Sequence, residues 1–156
     1  MSTLYITCGI PGSGKSTWAR KMSSNLNWRW ISRDAIRFAK LKETDDYFAH
    51  ETSVYDTFVS DIQSSIYTGV ENIIADATHL TNESRFRLLS RLSLCGYDVV
   101  YVSFNIPIEL AIQRNNQRAG RAKVPESIIK RMWHSFEKPQ GNVITINQYG
   151  EEEQKE

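Results

Sequence analysis

The chain has 156 residues, 40% of them hydrophobic and 24% charged, which is enough for one domain with a buried core and typical of a soluble globular protein. No apolar run approaches the roughly 20 residues that cross a bilayer, and the N-terminus enters an apolar strand without the basic and apolar regions of a signal peptide. The net charge is +1; the last six residues hold four acids and one base, leaving 18 bases and 14 acids, or +4, on residues 1–150, which excludes the large uniform field of a non-specific DNA coater.

Leu4-Tyr5-Ile6-Thr7-Cys8 is apolar and β-favouring and predicts the first strand. A glycine-rich run, Gly9 to Thr17, leads from it into a helical segment, Trp18 to Met22. Trp28 to Ile31 predicts a second strand, followed by Ser32-Arg33-Asp34 and a helix from about Asp34 to Leu41. Thr44, Asp45 and Asp46 offer capping oxygens for a long helix from about Asp46 to Thr68. Its face is Phe48, Val54, Tyr55, Phe58, Val59, Ile62 and Ile66, and Gly69 stops it. Asn72 to Asp76 is a third strand ending in an acid. Thr81 caps the next helix, with Phe86, Leu89 and Leu92 as its core stripe and Gly96 as its stop. Tyr97 to Phe104 is a fourth strand. Pro107 suits the first turn of a helix reaching about Arg118. Residues 119–124 break the pattern, and Pro125 opens a helix with Ile128, Ile129, Met132, Trp133 and Phe136 on one side. Val143 to Ile146 is a fifth strand. Residues 1–150 read as the domain and 151–156 as an acidic, solvated and disordered tail. Cys8 and Cys95 lack metal or redox spacing, a pattern that fits a reducing cytoplasm.

Strands alternate with helices throughout, so the expected fold is α/β: a five-stranded, mainly parallel sheet sandwiched by helices. Such sheets bind ligands beyond the carboxyl ends of their strands. The first connection, Gly9-Ile10-Pro11-Gly12-Ser13-Gly14-Lys15-Ser16-Thr17, has the spacing of a phosphate loop in its proper strand–loop–helix setting. Its glycines let backbone N–H groups converge on phosphate oxygens, Lys15 reaches the β- and γ-phosphates of ATP, and the Ser16 hydroxyl holds Mg2+. Asp34 and Arg37 stand i, i+3 on one helix face; a carboxylate there can orient an acceptor hydroxyl and take its proton, and an arginine can position the acceptor. Asp76, at the end of the third strand, is a second candidate for the metal or the acceptor, with Thr78 and His79 in the same loop. Arg114, Arg118, Arg121, Lys123, Lys130 and Arg131 against the single acid Glu126, with Gly120 between them, read as an arginine-bearing lid that neutralises the transferring phosphoryl group.

These residues resemble the kinase domain of the bacteriophage polynucleotide kinase/phosphatase and its bacterial relatives, the 5′-hydroxyl polynucleotide kinases. The resemblance runs from Met1 to about Phe136 and rests on three motifs in order: Gly9 to Arg20, Ser32-Arg33-Asp34-Ala35-Ile36-Arg37, and Arg114-Asn115-Asn116-Gln117-Arg118 followed by Lys123-Val124-Pro125. It implies a P-loop kinase fold and transfer of phosphate from ATP to the 5′-hydroxyl end of RNA or DNA. Within that reading Asp34 is the general base, Arg37 contacts the phosphate next to the accepting nucleoside, Arg33 borders the acceptor strand, and Arg118, assisted by Arg114, contacts the ATP phosphates. The strand-three loop departs from the bacterial pattern Asp-Ala-Thr-Asn, reading Asp76-Ala77-Thr78-His79. The aspartate-rich phosphatase motif is absent, so no 3′-phosphatase activity is expected of this chain. A kinase of a small metabolite, nucleoside or nucleotide would use the same loop, aspartate and lid, and a nucleotide-binding switch would need only the loop.

Overall fold

Five strands form one sheet in the order β2-β3-β1-β4-β5, every neighbouring pair parallel. The computed structural model describes residues 1–153; residues 154–156 of the expected tail, and the side chain of Arg121 in the expected lid, lie outside the described residues. The strands are β1 (Thr3–Cys8), β2 (Trp28–Ser32), β3 (Asn72–Asp76), β4 (Asp98–Phe104) and β5 (Val143–Ile146). The helices are α1 (Lys15–Met22), α2 (Arg33–Lys40), α3 (Glu51–Tyr67), α4 (Asn82–Ser90), α5 (Ile108–Asn116) and α6 (Glu126–Ser135), with a short 3-10 turn at Gly120–Ala122. All five predicted strands are present, and the α/β sandwich is as expected.

Period-two alternation in β1 decides which layer covers which face. Leu4, Ile6 and Cys8 point to one side, where they meet Phe58, Val59, Ile62 and Ile66 of α3 and Leu88 of α4. Tyr5 points the other way and packs edge-on against Trp18 of α1 at 6.1 Å. Phe58 is completely buried; truncating it to alanine would cost about 3–5 kcal/mol. A second cluster, Ile10, Ile106, Ala111 and Ile129, joins α5 and α6 to the loop after β1.

Three helix expectations shift. The long helix begins at Glu51 rather than near Asp46, with no side-chain cap. Asp45 spends its carboxylate on its own turn, accepting from the Lys42 N–H at 2.8 Å, and Phe48 is exposed outside the helix. In α4 the predicted Thr81 cap is present, with a full capping box. The buried residues there are Arg85 and Leu88, while Phe86 is exposed. Arg85 displaces the phenylalanine because its guanidinium is satisfied inside, donating to the carbonyls of His79 at 3.0 Å, Leu80 at 3.2 Å and Glu137 at 2.6 Å. Pro107 and Pro125 stand at the N-caps of α5 and α6, one residue before the first turn. The first residues of the expected tail fold back: Glu152 bridges antiparallel to Ile146, and the Glu153 N–H donates to Thr145 at 2.7 Å.

β1 is flanked by β3 on one side and β4 on the other, so the strand order reverses at its carboxyl end. Ser32 pairs with Asp76, and Cys8 with Ser103. This alignment gathers the loop after β1, the start of α2 and the end of β3 on one edge of the sheet.

Candidate active site

The loop after β1 is shaped by contacts that only glycine permits. Gly12 has φ +81°, and a Cβ there would collide with the Ala111 carbonyl of α5. Gly14, with φ +100°, is the N-cap of α1. No side chain caps that helix, so its first N–H groups face outward at the positive end of the helix dipole, a ready anion site. Gly9 donates its N–H to the Thr78 carbonyl at 2.9 Å, tying the loop to the segment after β3. Thr78 therefore acts on the loop through its backbone. Ile10 carbonyl accepts from Lys15 Nζ at 2.8 Å, which holds the ammonium beneath the loop. Burial pulls Lys15 down to about 8, against the opposing pull of the Asp76 and Asp34 charges. Pro11 and Ser13 are buried within the loop, whereas Ser16 and Thr17 are exposed at the start of α1.

Asp76 sits behind the loop, 4% exposed. Its carboxylate accepts from Trp30 Nε1 at 2.9 Å, Thr7 Oγ1 at 3.3 Å and Ser16 Oγ at 3.4 Å. Burial raises its carboxyl, while Lys15 and the Trp30 hydrogen bond oppose the rise. Ser16 and Asp76 together offer hard oxygen donors, the ligand type that suits Mg2+ held jointly with phosphates and water. Among the described residues there is no cluster of three or more His, Cys, Asp or Glu side chains of the kind that encloses a metal by itself. His79 is buried as well, at φ 38°. Its Nδ1 lies 2.7 Å from the Thr7 carbonyl, which can only accept, so Nδ1 carries the proton. Burial pushes the imidazole down to about 4, and the ring is neutral at physiological pH.

Ser32 caps α2 by accepting from the Ala35 N–H at 3.1 Å, which sets Asp34 and Arg37 in the helix. The Asp34 side chain is 62% exposed and open to a substrate. Arg37 is buried and contacts three partners: Asp34 through Nη1, the Tyr47 hydroxyl at 3.0 Å, and Glu51 through Nε at 2.5 Å and Nη2 at 3.1 Å. Glu51 also accepts from Arg33 Nη2 at 3.0 Å. The Tyr47 hydroxyl donates to Asp34 at 3.2 Å, and burial with the Asp34 charge pushes that phenol up to about 12, so it keeps its proton. Asp34 is thus pinned from two sides, and its charge reaches both Lys15 and Asp76. A carboxylate so placed can orient a hydroxyl toward a phosphoryl group held by Lys15.

Arg114 and Arg118 lie across the loop from this cluster. With Gly12, Ser13, Gly14 and Thr17 they line a cleft of about 450 Å³ that continues past Trp18, Phe104 and Ile146 to Tyr149. Arg114 Nη2 donates to the Gln148 carbonyl at 2.7 Å, and the positive charge of Arg118 is felt at Lys15. Asn115 is completely buried between them in sequence; its amide donates to the Val124 carbonyl at 2.6 Å and accepts from the Val124 N–H at 2.8 Å. That pair closes the segment bearing Arg118 onto α5.

The sequence-predicted residues therefore gather at one edge: Lys15, Ser16 and Asp76 under the loop, Arg33, Asp34 and Arg37 on one side, Arg114 and Arg118 on the other. Glu51, Tyr47 and Asn115 were missed. Glu51 was hidden because it lies 14 residues beyond Arg37, inside a stretch read only for its apolar face. Two arginines one and five residues after the end of β2, with one nearby acid for the pair, are the signal that could have found it. Asn115 lies within the quoted arginine motif, but its polar side chain gave no sign of being buried.

Comparisons with known proteins bear on the family and the fold. The family description of the AAA domain (AAA_33) matches residues 4–139. The L-seryl-tRNA(Sec) kinase of Methanococcus maripaludis is 27% identical over 140 residues, 87% of this chain and 53% of that protein; the chain thus spans about half the relative's length. Among solved structures, a component of the Pnkp1/Rnl/Hen1 RNA repair complex superposes with TM-score 0.72 at 24% identity, covering 86% of this chain and 43% of that one. A sugar kinase from Janibacter sp. HTCC2649 superposes with TM-score 0.68 at 18% identity, covering 96% and 87%.

Proposed function

Because this chain belongs to the AAA domain family and is a P-loop kinase of the AAA_33 type, we propose that it transfers the γ-phosphate of ATP to the 5′-hydroxyl end of RNA or DNA. The observation that carries the proposal is the exposed Asp34 carboxylate, held by Arg37 and Tyr47 and coupled in charge to Lys15. The three ordered motifs that resemble 5′-hydroxyl polynucleotide kinases support the choice of acceptor, as does the fold shared with the RNA repair component.

In this reading the loop amides and Lys15 hold the triphosphate, and Ser16 with Asp76 would hold Mg2+, whose charge would help to neutralise the transferring phosphoryl group. Asp34 takes the proton of the attacking hydroxyl. Arg118, with Arg114, stabilises the transferring group from the opposite side. Arg33 and Arg37 border the acceptor. The two free cysteines, Cys8 and Cys95, fit a reducing cytoplasm, and among the described residues no helix is long and apolar enough to cross a membrane.

A second reading draws on the relatives themselves. One is named for a seryl-tRNA acceptor and another for a sugar, and Asp34 can activate any primary alcohol that reaches it. Labelled ATP with Mg2+ separates the readings when offered in parallel to a 5′-hydroxyl oligonucleotide, free nucleosides, sugars and seryl-tRNA. The proposal expects label on the oligonucleotide end. Label on a sugar, nucleoside or seryl group, with none on the oligonucleotide, would replace it with the second reading.

A further inference from the structure

Beside Asp34 three aromatic rings stand together, Phe48 largely uncovered and Phe38 partly so. Phe48 is 63% exposed and Phe38 38%. The Tyr47 ring holds both edge-on, with centroids 4.7 Å from Phe48 at 81° and 6.1 Å from Phe38 at 72°. The Arg37 guanidinium lies 4.6 Å from the Tyr47 centroid and 6.0 Å from that of Phe48. Edge-to-face contacts of this kind fix the rings, and the turn that carries Tyr47 and Phe48 is tied by the Lys42 N–H to Asp45 at 2.8 Å and the Ala49 N–H to Asp46 at 3.0 Å. Phe48 thereby keeps an open ring in a preset position, at the cost of exposing apolar surface that folding normally hides.

The distance from the chemistry identifies what would cover it. Tyr47 bonds Asp34 through its hydroxyl at 3.2 Å, so its ring stands directly behind that bond, with Phe48 packed against it. A nucleoside whose 5′-oxygen rests on Asp34 carries its base about one sugar width away, which leaves these rings within its reach. A polyhydroxylated sugar brings hydroxyl groups that require hydrogen-bond partners, and phenylalanine rings supply none. Flat, sequence-tolerant stacking is how aromatic side chains take up single-stranded bases. We propose that Phe48, braced by Tyr47 and Phe38, is a stacking platform for the base of the accepting nucleoside. This rests on the reading of the acceptor as a nucleic-acid 5′ end and specifies how its first base is held.

The test compares a 5′-hydroxyl oligonucleotide with the same strand ending in an abasic 5′ residue, using the full chain, labelled ATP and Mg2+. The wild type should show an acceptor KM about ten-fold lower for the base-bearing strand, within the range of base–aromatic stacking. Phe48→Ala should lose that advantage and treat both strands alike, Phe48→Tyr should keep it, and the KM for ATP should stay the same in both. If the wild type phosphorylates both strands with equal KM, or Phe48→Ala weakens both equally, the platform is refuted while the acceptor reading stands. If neither strand is labelled but a sugar or seryl group is, the acceptor reading falls and takes the platform with it.

Discussion

Glu51→Gln isolates the role of the group that braces the acceptor side. Glu51 takes three contacts of 2.5–3.1 Å from two guanidinium groups, and one of them, Arg37, is only 6% exposed. Removing one partner of a fully buried ion pair costs about 3–5 kcal/mol. Here the Glu51 side chain is 28% exposed, so solvent screens part of the interaction and about 2 kcal/mol is the reasoned loss. Burial draws the Glu51 carboxyl upward, but the hydrogen bonds and charges of Arg37 and Arg33 outweigh it and hold it below its ordinary 4.5. A depressed carboxylate stabilises the fold above its unfolded value and loses that effect as pH falls through the folded one. The deficit of Glu51→Gln should therefore be full at pH 7 and shrink below about pH 4.5, which urea titrations at several pH values would read. Turnover should fall about ten- to hundred-fold, because Arg37 no longer fixes Asp34 and small misplacements of a reacting group are costly; the KM for ATP should be unchanged. A variant with wild-type urea midpoint and wild-type turnover at pH 7 would refute the bracing argument.

Asp34→Asn should keep the fold and the binding of ATP but lose about 10²–10⁴ in transfer rate, the usual contribution of a general base; a binding titration beside a rate assay checks both halves. Lys15→Met should abolish transfer yet raise the stability of the ligand-free chain by about 1–2 kcal/mol below pH 8, since holding the ammonium in the loop carries a penalty. Because Lys15 drops to about 8 from 10.5, that advantage should fade between those pH values in thermal melts. Asn115→Ala should leave two backbone groups of Val124 without their partner. The expected result is a local loss of about 2 kcal/mol and faster amide exchange around residues 117–124, with turnover reduced through Arg118.

What could be read from the sequence is what local chemistry dictates. The phosphate loop announced itself because its glycines answer a backbone demand, as Gly12 against the Ala111 carbonyl shows. The strands were found because β1, β3 and β4 have near-continuous apolar runs that only a sheet covered on both faces can bury. Helix faces were harder. Phe86 was assigned to the core on hydrophobicity alone, but Arg85 had three carbonyls waiting for it, and those partners come from the loop before α4 and from the end of α6. Asp45 was read as a helix cap and serves a turn instead, because a short polar side chain competes equally well for either. Glu51 and Asn115 depend on pairings between segments, and periodicity within one segment carries no trace of them.

The two flanks of the loop differ in charge, and the difference bears on the acceptor. On one side Arg33 and Arg37 are balanced by Asp34 and Glu51, two cations against two anions joined by direct contacts. On the other, Arg114 and Arg118 have no carboxylate partner among the described residues; Arg114 bonds only a carbonyl. An unpaired arginine held near a phosphate loop favours an incoming polyanion, which is what a triphosphate is. The acceptor flank is locally neutral, so it attracts phosphates less strongly, those of an oligonucleotide included, because Arg33 and Arg37 are already engaged by Glu51. It does suit an uncharged hydroxyl, which needs a hydrogen-bond acceptor and a fixed direction more than it needs charge. The electrostatic layout is thus compatible with the alcohol acceptor proposed above. On the proposed reading that alcohol is the 5′-hydroxyl of a nucleoside, and the aromatic rings next to Asp34 are where its base would stack.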